Sequence, residues 1–172
     1  MKKYLIITIF LATFLQAFTI DEAQSALENE EYKKAYYIFK AIVENSEDET
    51  GEANYELARM YDYGCAIRQN ISEAVKYYEK AAKLGNIEAK RNLGSIYHLG
   101  EEEITSIKPS GDMFDLCTNR ISEDEDVKPN KTKVKQDYKK AVKYLKEAVK
   151  QGDEESKRLL EIICDSKQEL CK

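Results

Sequence analysis

The 172-residue sequence contains no tryptophan, two prolines, seven glycines and one histidine. So little proline and glycine excludes collagen-like and low-complexity chains. A lone histidine, His98, excludes any multi-histidine metal site. No Cys-x-x-Cys spacing occurs, which leaves thioredoxin-like redox chemistry and zinc ribbons without support. No serine is followed three residues later by lysine, so the nucleophile motif of penicillin-binding enzymes is missing. Positive charge is also in deficit, 27 Lys and Arg against 32 Asp and Glu, and a nucleic-acid partner is not expected without a local basic patch. What remains is 42% hydrophobic and 34% charged, with twelve tyrosines. That is too apolar and aromatic for disorder, and it points to one soluble, helix-rich domain.

The first residues suggest export. Met1-Lys2-Lys3 is a positive start, Tyr4 to Phe14 is apolar, and small or polar residues follow, with Ala17 and Thr19 as cleavage points. This is the layout of a secretory signal, and the apolar run is short for a membrane span. An uncleaved N-terminal anchor is the alternative. The expected division is a signal peptide at 1–19 and a single domain at 20–172, with no membrane span after cleavage. No cysteine lies near the cleavage region, which closes the lipoprotein route. Without Lys2 and Lys3 the formal charge falls from −5 to −7. The four cysteines Cys65, Cys117, Cys164 and Cys171 all follow the cleavage point. An even number in an exported chain reads as two disulfides, with three connectivities open.

Internal repetition gives the architecture. Glu31-Tyr-Lys-Lys-Ala35-Tyr-Tyr-Ile-Phe39, Ser72-Glu-Ala74-Val-Lys-Tyr-Tyr78 and Tyr138-Lys-Lys-Ala141-Val-Lys-Tyr-Leu145 share Ala followed four residues later by a large side chain. Between them run Ala53-Leu57-Tyr61, Ala89-Leu93-Tyr97 and Ser156-Leu160-Cys164, each at i, i+4, i+8. Both are single stripes of a helix, small where helices touch and large where gaps need filling. Leu57 and Leu93 are 36 residues apart and Leu93 and Leu160 are 67 apart, an excess of 31. The chain therefore reads as a stack of helical hairpins with an insertion. With Leu-bearing helices called A and Ala-bearing ones B, the expected order begins with a cap helix near Ala23–Leu27. It continues as B near Glu31–Glu44, A near Glu52–Tyr63, B near Ile71–Leu84 and A near Ile87–His98. B near Gln136–Lys150 and A near Glu154–Ile163 complete it. Gly64, Gly85, Gly100 and Gly152 punctuate helix ends. Asn70 or Ser72 can cap the second B helix, and Asp137 lies near the start of the third.

The stretch Leu57-Ala58-x-x-Tyr61-x-x-Gly64-x-Ala66-Ile67-x-x-Asn70-x-x-Glu73-Ala74-x-x-Tyr77-Tyr78-x-Lys80-Ala81-Ala82-x-Leu84-Gly85-Asn86-x-x-Ala89 resembles a complete Sel-one-like repeat (SLR), a relative of the tetratricopeptide repeat. A second copy starts at Leu93-Gly94, breaks off, and resumes at Asp137-Tyr-Lys-Lys140-Ala141. The resemblance implies an all-α, right-handed α/α solenoid of SLR (TPR-like) helical hairpins with one long loop insertion, used for protein contact and usually without catalysis. Cysteine-rich exported relatives carry a Cys pair at positions that are Ala82 and Ala89 here, a departure from that branch.

The insertion, 101–134, holds both prolines, Cys117 and the acidic run Glu123 to Asp126. It occupies the A-to-B turn of its repeat, and Cys65 occupies that turn in the preceding one. Successive turns stack along one solenoid edge, so Cys65–Cys117 is the preferred bridge. Closing about 50 residues would stabilise by about 4 kcal/mol in the chain-entropy model. Cys164 and Cys171 cannot pair across an unbroken helix, where about 10.5 Å would separate their Cα atoms. The last helix is therefore expected to end near Cys164 and the tail to fold back.

Chemistry is sparse. His98 could nominally join a Ser and an Asp in a triad, but no base-orienting partner is visible. The acidic run lacks the spaced ligands and glycine of a calcium loop and reads as a solvated loop. No cofactor or metal is expected, and the tyrosines Tyr36, Tyr37, Tyr77, Tyr78 and Tyr144 read as core with hydroxyls at the surface. The arginines are more suggestive. Three of five, Arg59, Arg91 and Arg158, lie on A helices. In tetratricopeptide-like solenoids the A helices line the concave face, so the resemblance aligns Tyr55, Arg59 and Asp62 with Arg91 and His98, then Arg158 and Ile162. One reading has Arg59, Arg91 and Arg158 gripping an acidic segment of a partner, with Tyr55 as aromatic anchor and His98 beside them. The other has each arginine paired with a glutamate of a neighbouring A helix. The expected function is that of an exported interaction module, periplasmic or secreted, a monomer or weak homo-oligomer, with no enzymatic activity. The alternatives are an immunity protein neutralising a secreted toxin and a weak penicillin-binding or β-lactamase-like hydrolase.

Overall fold

A computed structural model describes residues 18–100 and 133–172. Nearly all of the signal segment, most of the insertion and Cys117 lie outside these residues. Among the described residues there are seven α-helices, a 3₁₀ turn and no strand. They are α1 (Ile20–Glu28), α2 (Tyr32–Glu44), α3 (Glu52–Tyr63), α4 (Ile71–Lys83), α5 (Ile87–Leu99), α6 (Tyr138–Val149) and α7 (Glu154–Ser166). The 3₁₀ turn spans Gln168–Leu170.

Five helices begin on a side-chain cap that accepts from an otherwise orphaned amide. Thr19 serves α1, Asn70 α4, Asn86 α5, Asp137 α6 and Asp153 α7, at 2.8–3.1 Å. Asn70, rather than Ser72, therefore starts α4. The helix α3 begins differently, on Gly51 in the left-handed conformation (φ +83°). The buried Asp48 carboxylate gathers this end. Its Oδ1 accepts from Gly51 N (3.0 Å) and Ala53 N (3.3 Å), and its Oδ2 from Asn54 N (2.8 Å) and Nδ2 (2.6 Å). A Cβ on Gly51 would lie 2.8 Å from the Ala81 carbonyl, so glycine lets the start of α3 touch the end of α4.

The helices pack as consecutive hairpins, α1 on α2, α3 on α4 and α5 on α6, with each hairpin joined to the next through α2–α3, α4–α5 and α6–α7. The helix at the N-terminus is thus more than a cap: α1 is the A helix of a first hairpin. The Ala–Leu stripes do what their spacing predicts in two of three cases. Ala53, Leu57, Ala89 and Leu93 are fully buried, each leucine contributing roughly 1.5–3 kcal/mol. In α7 Leu160 is only half-buried and Ile163 takes the core position. Gly94 sits where α5 crosses α6, and a Cβ there would come within 2.5 Å of Leu145 Cδ2.

The insertion leaves the repeat's turn intact. In the first turn Gln69 Nε2 donates to Asp62 O (2.7 Å) and Asn70 N to Tyr61 O (2.8 Å). In the second, Gln136 Nε2 donates to His98 O (2.7 Å) and Asp137 N to Tyr97 O (2.7 Å). The same Gln–Asx clamp closes both, so the extra residues leave and return at one point.

Two tyrosine assignments need correction. Tyr37 is 53% exposed, pointing away from the core. Tyr78 is fully buried, hydroxyl included, because both neighbouring A helices supply polar partners for it. The C-terminus is corrected by one half-turn: α7 continues to Ser166, past Cys164. The tail then folds back through the 3₁₀ turn, and Cys164 and Cys171 form a disulfide with Cα atoms 5.7 Å apart. Leu170 and Cys171 pack on the core, the 3₁₀ turn lying against α6 and α7. Cys65 is fully buried and disulfide-bonded. Its expected pairing with Cys117 falls on a residue outside those described.

Candidate functional site on the A-helix face

Three of the four A helices, α3, α5 and α7, carry a row of polar and aromatic side chains, linked from repeat to repeat. At the N-terminal end Gln24 of α1 hydrogen-bonds Glu52, the first residue of α3. Tyr55 follows one turn later, its ring 5.9 Å from Tyr78 and beneath the Arg59 guanidinium, 5.7 Å away. Burial pushes the Tyr55 phenol up to about 12, with Glu56 and Glu88 adding to the effect and Arg59 opposing it. Arg59 Nη1 bonds both Glu56 oxygens, at 3.0 and 3.1 Å, and the Glu56 side chain is only 12% exposed. Burial raises the Glu56 carboxyl above its ordinary range against the pull of Arg59.

Behind this pair, Tyr78 of α4 rises between α3 and α5. Its hydroxyl donates to Asp62 Oδ2 (3.1 Å) and accepts from Asn92 Nδ2 (3.0 Å). The result is a polar chain Asn92–Tyr78–Asp62 across three helices. Burial lifts the Asp62 carboxyl to about 6, although the Tyr78 bond and the Arg59 charge hold it down.

The next link joins α5 to α7. Arg91 meets Asp153 side-on, and its Nη1 lies 2.6 Å from Glu155 Oε2. One guanidinium thus ties two carboxylates at the start of α7, where the helix dipole also favours them. Further along, Arg158 is exposed and makes no ion pair among the described residues, and Ile162 is 61% exposed.

Of the two readings of the arginines, Arg91 follows the pairing one, with partners on the neighbouring A helix. Arg59 pairs too, but with Glu56 of its own helix at i−3. His98 stands apart: its ring packs edge-on against Tyr138 (5.6 Å), and its buried Nδ1 has no hydrogen-bond partner among the described residues. No serine hydroxyl or carboxylate is brought to it there. Among the described residues, no cluster of His, Cys, Asp or Glu could hold a metal ion, and no helix is long and apolar enough to cross a membrane. Glu56, Asn92 and Asp153 escaped the sequence reading, and Tyr78 entered it only as core with its hydroxyl at the surface. Only two carried a signal, Glu56 through its i−3 spacing to Arg59 and Asp153 as a helix cap.

Residues 51–86 and 127–153 match the family model of the Sel1 repeat. The chain carries Sel1 repeats within an all-helical repeat fold. The first match covers α3 and α4, and the second ends at the cap of α7, so the α3–α4 hairpin is one Sel1 repeat and α6 closes another. A crystal structure of a Sel1 repeat protein from Oxalobacter formigenes is similar, with a TM-score of 0.51 at 19% identity over 92% of this chain. At that identity the likeness is one of fold. The chain spans 57% of the length of that protein. No curated protein matches the sequence. Sel1 repeat proteins are generally protein-interaction modules and typically non-enzymatic scaffolds.

Proposed function

We propose that this Sel1-repeat protein is an exported interaction module that docks a partner protein on its A-helix face. The observation that carries the reading is a division of labour. Apart from the exposed Tyr37, the B helices turn most of their large side chains to the core, whereas α3, α5 and α7 display half-buried Tyr55 and Arg59 and exposed Glu88, Arg158 and Ile162. Half-buried aromatic and arginine side chains held by neighbours are the residue types that dominate protein interfaces. Export is supported by the basic and apolar start of the chain and by a disulfide that persists in oxidising compartments. Thr19 caps α1, so cleavage after Ala17 would leave the first helix with its cap. The periplasm or the extracellular space is the compartment this implies.

The test is capture of a partner from the native envelope fraction by the tagged, oxidised protein, identified by mass spectrometry. Tyr55→Ala with Ile162→Ala should abolish a stoichiometric capture that Lys76→Glu, on the exposed side of α4, leaves intact. Equal capture by both variants would refute the A-helix face as the docking surface.

A further inference from the structure

Resting on the interaction reading above, the charge carried by the same face identifies its partner's chemistry. The arginines that a carboxylate-gripping groove would need are already engaged inside the fold. Arg91 is held by two carboxylates, at 3.0 Å from Asp153 and 2.6 Å from Glu155, and Arg59 by Glu56. Redirecting either to an incoming carboxylate would leave a half-buried acid without its cation, which costs more than a surface pair returns. The acids along the row are not matched in the same way. Glu52 hydrogen-bonds the neutral Gln24, and exposed Glu88 makes no hydrogen bond or ion pair among the described residues. Arg91 neutralises only one of its two partners, and among the described residues the Asp62 carboxylate accepts a hydrogen bond from the neutral Tyr78 hydroxyl while sharing the Arg59 charge with Glu56. Even with Arg158 counted, the face keeps an excess of negative charge.

Two rings lie within this field. The Tyr55 ring already bears one cation on its face, the Arg59 guanidinium. Half-buried Tyr63 lies near Asp62 and Glu56, with Arg59 opposing their charge. An aromatic ring beside an uncompensated carboxylate suits a lysine or arginine side chain, which gains a cation–π contact and an ion pair together.

We infer that the A-helix face binds a cationic, lysine- or arginine-bearing segment of another protein, with Glu88 as the principal charge contact beside Tyr55. This reverses the acidic partner that the arginine count alone suggested. A face built this way steers its partner by long-range attraction, so association weakens steeply with salt.

The experiment screens a displayed library of random twelve-residue peptides against the full oxidised protein at physiological ionic strength. The retained peptides are then measured by fluorescence anisotropy against Glu88→Lys and Tyr55→Ala. Glu88 is exposed, so reversing it leaves the core untouched. The expected result is enrichment of peptides with net positive charge, a tenfold or greater loss of affinity on Glu88→Lys, and a further loss in 0.5 M salt. Neutral or acidic enriched peptides that still lose affinity on Tyr55→Ala overturn the charge assignment while keeping the face. Peptides indifferent to both variants, or no enrichment, overturn the cationic partner and the face together.

Discussion

Arg91 and Asp153 lie 62 residues apart in sequence and meet side-on, with Nε 3.1 Å from Oδ2 and Nη2 3.0 Å from Oδ1. Asp153 is also the cap of α7, accepting from Ser156 N at 2.8 Å, so one carboxylate both starts the last helix and anchors it to α5. Burial pushes this carboxyl up, but the Ser156 bonds and the Arg91 charge outweigh it and hold the group below the usual carboxylate range. Arg91→Ala is expected to lower unfolding free energy by about 1 kcal/mol, as for a half-exposed bidentate pair. Asp153→Ala should cost about 1 kcal/mol more, because the cap goes as well. The native state binds this proton less readily than the unfolded chain. The pair's contribution is therefore present above the ordinary aspartate pKa and is lost as pH falls through the native value. Urea titrations of both variants at pH 7 and pH 3 measure this, and equal costs at pH 7 would contradict the double role of Asp153.

Gly94 tests the packing of α5 on α6. In an exposed helix Gly→Ala would stabilise by about 1 kcal/mol through propensity. Here the new methyl would meet Leu145 at 2.5 Å, so Gly94→Ala is expected to destabilise by about 1–3 kcal/mol. Leu145→Val in the same chain should recover part of that loss, a non-additivity visible in a double-mutant cycle. Additive costs would show that the two residues are not in contact.

Asp62 is the clearest pH-sensitive group on the face. Its carboxyl, lifted to about 6 by burial, faces Arg59 and Tyr63 on its own helix and Tyr78 from α4, with Asn92 of α5 on the far side of the Tyr78 hydroxyl. The native state holds this proton more tightly than the unfolded chain, so this group's contribution to stability falls as pH rises from about 4 to about 6. Asp62→Asn keeps an acceptor for Tyr78 and removes the buried charge. It should leave stability equal or slightly higher at pH 7.5 and flatten the pH dependence across that window. Thermal melts of both proteins between pH 4 and pH 8 provide the comparison, and a variant that parallels the parent would exclude a raised Asp62.

The tail staple should act locally. Cys164–Cys171 closes a short loop, for which the chain-entropy model gives about 2.5 kcal/mol. In Cys171→Ser the 3₁₀ turn loses its tether and the half-buried Leu170 its seat on the core against α6 and α7. Amide exchange should quicken in α7 and the tail and stay unchanged in α3 and α4. Uniformly faster exchange would mean that the staple holds the whole molecule.

The hairpins were legible in the sequence because a 36-residue period forces alanine and leucine onto recurring stripes, and α3 was bounded correctly from Glu52 to Tyr63. The last repeat was less legible. In α7 Ile163 rather than Leu160 turns inward, and the tail tethered by the Cys164–Cys171 disulfide folds back on that helix. The face was half-legible. The resemblance to tetratricopeptide-like solenoids implied one face for Tyr55, Arg59, Asp62 and Arg91, yet the pairing of Arg91 with Asp153 depends on where two distant helices meet. The hydroxyl of Tyr78 shows the same limit. Its helix position says buried, and only the arrival of Asp62 and Asn92 from two other helices lets the oxygen follow the ring.

Hydrogen exchange of the protein with its captured partner, compared with the free protein, tests the docking face most directly. The account predicts slowed exchange concentrated in α3, α5 and the start of α7, with α2, α4 and α6 unchanged on their outer sides. Protection confined to the B helices, or to the tail alone, would contradict it.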